Sequence, residues 1–321
     1  MPLTQKELDW IRHELPDLDF SQATSDFVNE PQVAAYLDHY HIDFGNELKD
    51  VSHNFGAFHS QGFKLACHIW RPAKPVGTVF FLHGYTDNVG LMQHAIRELL
   101  KHHWAVVAFD LPGHGLSTGE RGYIESFNHY RLCLEKCLRE ARDNLPAPWT
   151  GAGQSTGGAI WFNYLHHQPE GRAIKTLVLF APLVRIYNWP KLRWLLPILK
   201  PFIKRTKRSF SNNSHDENFL RFVREQDLLQ PPGTPVIWVE AMKQAIDDFL
   251  AAPSLEYSLK VIAGDADRTV DTDWNMKVIR EKFPNADISI FKNIRHQVVN
   301  ESQPYRKKVF SSMINWLSAF E

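Results

Sequence analysis

Cysteine is scarce in this chain. Three cysteines in 321 residues, Cys67, Cys133 and Cys137, cannot build a disulfide framework. Cys133 and Cys137 stand four apart in an expected helix, where neighbouring side chains are badly aimed for a bridge. All three are therefore read as reduced and buried, which fits a cytoplasmic protein. A charge surplus is missing as well. Lys+Arg and Asp+Glu both total 36, so there is no general pull on nucleic acid, and no nucleic-acid partner is expected. No apolar run approaches the roughly 20 residues that a spanning helix needs. The opening MPLTQKELDWIRHELPDL mixes both charge signs and has no continuous apolar stretch, so it does not read as a secretory leader. Repeats and low-complexity tracts are also missing. Against these absences stands an ordinary globular composition, 44% hydrophobic and 22% charged, which excludes disorder.

What is present is alternation. Residues 1–50 read as a polar, partly helical N-terminal extension. Strand-length apolar runs follow at 63–70, 78–82, 104–109, 175–181, 258–263 and 287–291, each ending in turn residues. Helical patterns lie between and after them at 91–102, 127–142, 156–167, 272–283 and 304–319. Strands separated by helices imply crossover connections, and hence an α/β chain with a mostly parallel central sheet flanked by helices. The rhythm breaks over 185–250, where WPKLRWLLPILKPFIKRTKR is followed by a polar segment and two more helical patterns. About 65 residues would bury only a marginal core alone, so this stretch reads as a mainly helical cap inserted over the sheet edge. The core is then 51–184 and 251–321.

Gly153-Gln154-Ser155-Thr156-Gly157 follows a short strand and opens a helical run, the setting that gives a G-x-S-x-G pentapeptide its meaning. The serine must take a strained turn that lifts its hydroxyl above the sheet, and Gly153 and Gly157 leave room for that turn. The N-terminus of the following helix then faces a developing oxyanion. The serine needs a base, and in this architecture the chain order is Ser, acid, His. Of the histidines after Ser155, His166 and His167 sit on the helix leaving the turn, well over 10 Å away at about 1.5 Å per residue. His215 lies in the polar part of the cap. His296, after the last strand, remains. The acid should end a strand between Ser155 and His296, and the run 258–263 leads into Asp265 and Asp267. The first residue after a strand is usually taken up by the turn, so Asp267 is favoured; Asp271 and Asp273 read as helix-start caps. The second oxyanion amide should come from the loop after VFFLHG, which points to the Tyr85 N–H beside that of Thr156, with His83 structural.

Taken together, FFLHGYTDN, FDLPGHGLSTGERG, GQSTGG, VIAGDADRTV and RHQVVNE resemble the monoglyceride lipase and bacterial lysophospholipase branch of the α/β-hydrolases, over about residues 50–320. The resemblance implies a serine hydrolase of carboxylic esters without metal or organic cofactor. It carries Ser155 over as nucleophile, Asp267 as acid, His296 as base, and Tyr85 and Thr156 as oxyanion amides. The implied substrate is a single acyl chain on a small polar alcohol, such as a monoacylglycerol or a lysophospholipid. A broad short-chain carboxylesterase is the first alternative. A catalytically dead hydrolase-fold interaction protein is the second, and it is disfavoured because the serine, the histidine and the glycines are all present. The long basic-aromatic cap departs from simple esterases, and the turn lacks the tryptophan of proline iminopeptidases.

Other patterns carry less. Asp38-His39-Tyr40-His41-Ile42-Asp43 has metal-like spacing but no strand to fix it, and it reads as a surface segment. His114 reads as turn scaffolding, and Glu301 either as a helix-start residue or as a partner of the histidine loop. Lys200, Lys204, Arg205, Lys207 and Arg208 read as a solvated face. The interleaved Trp189, Trp194, Leu195, Ile198, Leu199, Phe202 and Ile203 raise the alternative of peripheral membrane contact, on short helical pieces interrupted by Pro197 and Pro201.

Overall fold

A computed structural model of the chain describes residues 3–168, 173–199 and 201–320, which leaves Lys200 of the basic run outside the described residues. The N-terminal stretch contributes helices α1 (Gln5–Glu14), α2 (Pro31–His39) and the single turn α3 (Phe44–Glu47). The sheet strands are β1 (Val51–Ser60), β2 (Phe63–Pro72), β3 (Gly77–Leu82), β4 (Trp104–Phe109), β5 (Trp149–Gln154), β6 (Ile174–Phe180), β7 (Leu259–Gly264) and β8 (Ala286–Phe291). Helices α4 (Gln93–Lys101), α5 (Phe127–Ala141), α6 (Thr156–His167), α10 (Thr272–Lys282) and α11 (Gln303–Leu317) connect or follow them. Between β6 and β7 lie α7 (Trp189–Leu199), α8 (Glu217–Glu225) and α9 (Val236–Ala251).

The eight strands form one sheet in the order β1-β2-β4-β3-β5-β6-β7-β8. β1, β2 and β4 pair antiparallel, and every other neighbouring pair is parallel. The mostly parallel sheet flanked by helices is what the alternation predicts, and the α/β-hydrolase form of it is what the resemblance implies. Successive side chains of β3 serve opposite faces: Phe80 and Leu82 join the core under α5, α6 and α9, while Val79 and Phe81 join the core under α4 and α11. Because both faces are covered, the strand is continuously apolar from Val79 to Leu82 rather than alternating. From β3 the chain crosses to β4 on one side and then back to β5 on the other. The crevice outside the carboxyl ends of β3 and β5 is therefore the place where such a sheet takes a ligand.

Two sequence expectations need adjustment. The N-terminal stretch is not merely polar: Leu8, Ile11, Val33, Tyr36 and Phe44 are buried in the α4/α11 core. α1 begins on a capping box in which Thr4 and Glu7 each satisfy the other's backbone N–H. Pro197 lies inside α7 without ending it.

Candidate active site

The parallel strands bring three loops together at their carboxyl ends. β5 ends at Gln154, and Ser155 follows at φ 50° and ψ −110°, a left-handed conformation strained for any residue with a Cβ. The turn is tight enough to demand glycine on both sides. A Cβ on Gly153 would stand 2.7 Å from the Gly157 carbonyl carbon, and one on Gly157 would stand 2.3 Å from the Leu82 carbonyl oxygen. The Ser155 N–H donates to the Phe180 carbonyl at 2.9 Å, while its own carbonyl accepts from Gly158 and Leu183 at 2.9 and 3.0 Å. α6 starts directly at Thr156, so Ser155 stands at the N-terminal end of the helix, and its carbonyl already takes up the Gly158 N–H.

β7 delivers Asp267, which is buried. One carboxylate oxygen accepts from the backbone N–H of Thr269 (2.7 Å) and Val270 (3.0 Å), and the other lies 2.7 Å from His296 Nδ1. The loop after β8 supplies His296, whose carbonyl accepts from the Gln154 side chain at 2.8 Å. The residue before the serine therefore holds the histidine backbone. Burial by itself disfavours a charged His296, but the charge and hydrogen bond of Asp267, with Asp87 behind it, raise its pKa above the ordinary histidine value. Nδ1 faces Asp267, and the ring lines the same cavity as Ser155.

Asp265 points elsewhere and accepts from the Asn293 N–H at 2.6 Å. Asp271 caps α10 through the Trp274 N–H and pairs with Arg185 at 2.6 Å. His166 and His167 turn their Nδ1 atoms to carbonyls within α6. His83 is fixed as a neutral ring. The Leu111 N–H donates to its Nε2 at 2.9 Å, so Nδ1 carries the proton and faces the Gly84 carbonyl, and burial lowers its pKa to about 4. His114 sits against the Pro112 carbonyl at 2.9 Å. Among the described residues no group of three or more His, Cys, Asp or Glu is placed to hold a metal ion. His39 instead contacts the Gln226 carbonyl. The three cysteines are free and buried.

Ser155, Thr156, Tyr85 and His296 line one cavity of about 400 Å³. Its roof includes Leu192, Leu196 and Ile203 from the α7 region and Trp238 from α9, and Tyr85 stacks on Trp238 at 3.8 Å. Asp87 and Gln154 were given no role from sequence. Asp87 is buried in the cavity wall, accepts from Gln297 at 3.1 Å, and has its pKa pushed up to about 6 by burial. Its place two residues after Tyr85, in the loop after β3, is the one sequence signal that points to it. Two members of the basic run are paired rather than solvated: Arg205 meets Glu120 at 2.6 Å, and Arg208 meets Gln230.

A strained serine between a parallel strand and a helix, with a histidine–aspartate pair delivered by the last two strands, defines the α/β-hydrolase class. Within that class the chain belongs to the serine aminopeptidase S33 family of hydrolases, whose model matches residues 73–303. It is a serine hydrolase of that family. It is similar to the monoacylglycerol lipase of Mycolicibacterium smegmatis, 23% identical over 267 residues, covering 80% of this chain and 93% of that one. The monoglyceride lipase of Rattus norvegicus is 24% identical over 283 residues, covering 84% of this chain and 91% of its own. Among solved structures, a soluble variant of the Saccharomyces cerevisiae monoglyceride lipase in complex with a substrate analog shares the fold at a TM-score of 0.70 and 18% identity, over 83% of this chain and 94% of that one.

Proposed function

We propose that this protein hydrolyses carboxylic esters through an acyl group carried on Ser155, with a single-chain lipid ester as substrate. His296 Nε2 takes the hydroxyl proton as Ser155 Oγ attacks the ester carbonyl. The tetrahedral oxyanion sits between the amides of Tyr85 and Thr156. His296 returns the proton to the leaving alcohol, the C–O bond breaks, and water activated by the same ring then releases the acid. Asp267 holds the imidazole in the working tautomer and stabilises its charged form. The observation that carries this reading is the 2.7 Å His296–Asp267 contact beside a strained serine in one cavity.

The substrate class rests on the cavity and on the relatives' names. An apolar roof over a serine favours an acyl chain, each buried methylene contributing about 0.8 kcal/mol, or about fourfold in kcat/KM. Residues 185–250 then act as the cap, with 51–184 and 251–321 as the hydrolase core. The outer face of α7 and the turn after it present Trp194 (82% exposed), Ile198 (63%) and Phe202 (84%) beside exposed Lys191, Lys204 and Lys207. That surface suits peripheral contact with an anionic bilayer. The test is hydrolysis of nitrophenyl esters from acetyl to dodecanoyl and of monoacylglycerol and lysophospholipid. Activity should rise with chain length and fall in Ser155→Ala by on the order of 10⁶ in kcat. Activity confined to acetyl and butyryl esters would make the protein a short-chain carboxylesterase. Cleavage of aminoacyl amides with no ester turnover would return it to the peptidase side of its family.

A further inference from the structure

The loop that carries His296 is held from two sides. From the core come the Asp267 carboxylate on the ring and the Gln154 side chain on the backbone. The other side is residues 212–216, which precede α8 in the stretch between β6 and β7. The Gln297 N–H donates to the Asn213 carbonyl at 2.9 Å. Arg295 Nη1 donates to Asn212 Oδ1 and to the Ser214 carbonyl, both at 2.7 Å. Ser214 Oγ, fully buried, donates to the Asn300 carbonyl at 2.8 Å.

Glu301 closes this frame. It is wholly buried, and its carboxylate accepts from the backbone N–H of Arg295 (2.8 Å), His215 (2.8 Å) and Ser302 (3.1 Å). The His215 ring Nδ1 stands 3.0 Å from it as well. A buried carboxylate fed by several N–H donors is a strong and directional anchor. Arg306 adds a bridge, donating to Asp216 at 2.9 Å and to the Glu301 carbonyl at 2.7 Å. The residues on both sides of His296 are thus tied to 212–216, while Ser155 and Asp267 are fixed by strand ends. A shift of that segment moves His296 relative to the serine and leaves the other two residues in place.

We propose that Glu301 and the segment 212–216 are positioning residues for His296, so that the inserted stretch completes the frame of the base as well as roofing the cavity. This rests on the reading of Ser155, His296 and Asp267 given above. Glu301→Gln keeps the shape but sets a donor amide among N–H donors, and Ser214→Ala removes one tie from the far side. Both are measured in the full chain with nitrophenyl acetate, whose acyl group is too small to fill the roofed cavity. The expected result is a fall in kcat of about 10- to 100-fold with KM within about twofold, because a base displaced by a fraction of an ångström costs turnover rather than binding. The low-field Nδ1 proton of His296, read by NMR, should shift or broaden in both variants. Unchanged kcat and an unchanged resonance, with only a lower Tm, would overturn the proposal and leave a structural pin. A raised KM at constant kcat would overturn it too, leaving a binding role. If Glu301→Gln does not fold, Ser214→Ala decides alone. A wild type without esterase activity fails the functional reading instead, and the His296 resonance then still decides the positioning one.

Discussion

Asp267 spends its two oxygens on different tasks, one on its own turn through Thr269 and Val270 and one on the His296 ring. Asparagine can keep the first and cannot orient a protonated Nδ1 in the same way. Asp267→Asn should therefore lose on the order of 10⁴ in kcat, while Asp265→Asn, which loosens only the Asn293 contact, stays within about tenfold of wild type. Steady-state kinetics on the two variants separates them, and comparable losses would mean that the acid is misassigned. The raised pKa of His296 gives a second expectation. As the proposed base, His296 works when neutral, so kcat/KM should climb with pH through an acid limb above about 6.5, the unperturbed histidine value. Asp87→Asn removes a negative charge that favours the imidazolium, so its acid limb should move to lower pH. A limb that stays put in that variant would remove Asp87 from the electrostatics of the site.

At the scale of elements, the β1–β2 hairpin carries an acid-sensitive pair. His53 Nε2 and His68 Nδ1 meet at 3.0 Å, stacked with Phe55 and Trp70, and both rings are buried. Burial lowers the pKa of His53 to about 3 and that of His68 well below its usual value, the latter with help from His53. The unfolded chain then binds more protons than the folded one below about pH 6.5, so stability falls as pH falls through that window. The double variant His53→Leu, His68→Leu should lose less Tm than wild type between about pH 7 and about pH 5, as followed by circular dichroism. An equal loss would place the acid sensitivity elsewhere. The same hairpin shows where sequence reading runs out. Val51–Ser60 has histidine, asparagine, serine and glycine among its apolar residues and gives no strand signal, yet 53–58 are all buried, Phe55 and Ala57 in the core with the N-terminal helices and Phe58 in the core on the α5 side. By contrast α6 and β4 fall on 156–167 and 104–109 as expected, their patterns being set locally. The candidate triad is legible because each member ends a strand in chain order. The tie between Glu301 and His215 joins residues 86 apart, and no local pattern announces it.

The whole molecule places an apolar roof above a polar site and leaves an apolar, basic surface on the outside of that roof. If that surface meets a membrane, turnover of a long-chain ester should rise with anionic vesicles, fall back with salt, and lose the vesicle response in Trp194→Ala, Phe202→Ala. Among the described residues no helix is long and apolar enough to cross a membrane. Every such expectation depends on which atom carries the acyl group. The most direct measurement is labelling with a fluorophosphonate followed by peptide mapping. A single adduct on the peptide containing Ser155, abolished in Ser155→Ala and in heat-denatured protein, is the expected result. An adduct on another serine, or labelling that survives Ser155→Ala, would contradict the assignment of the site.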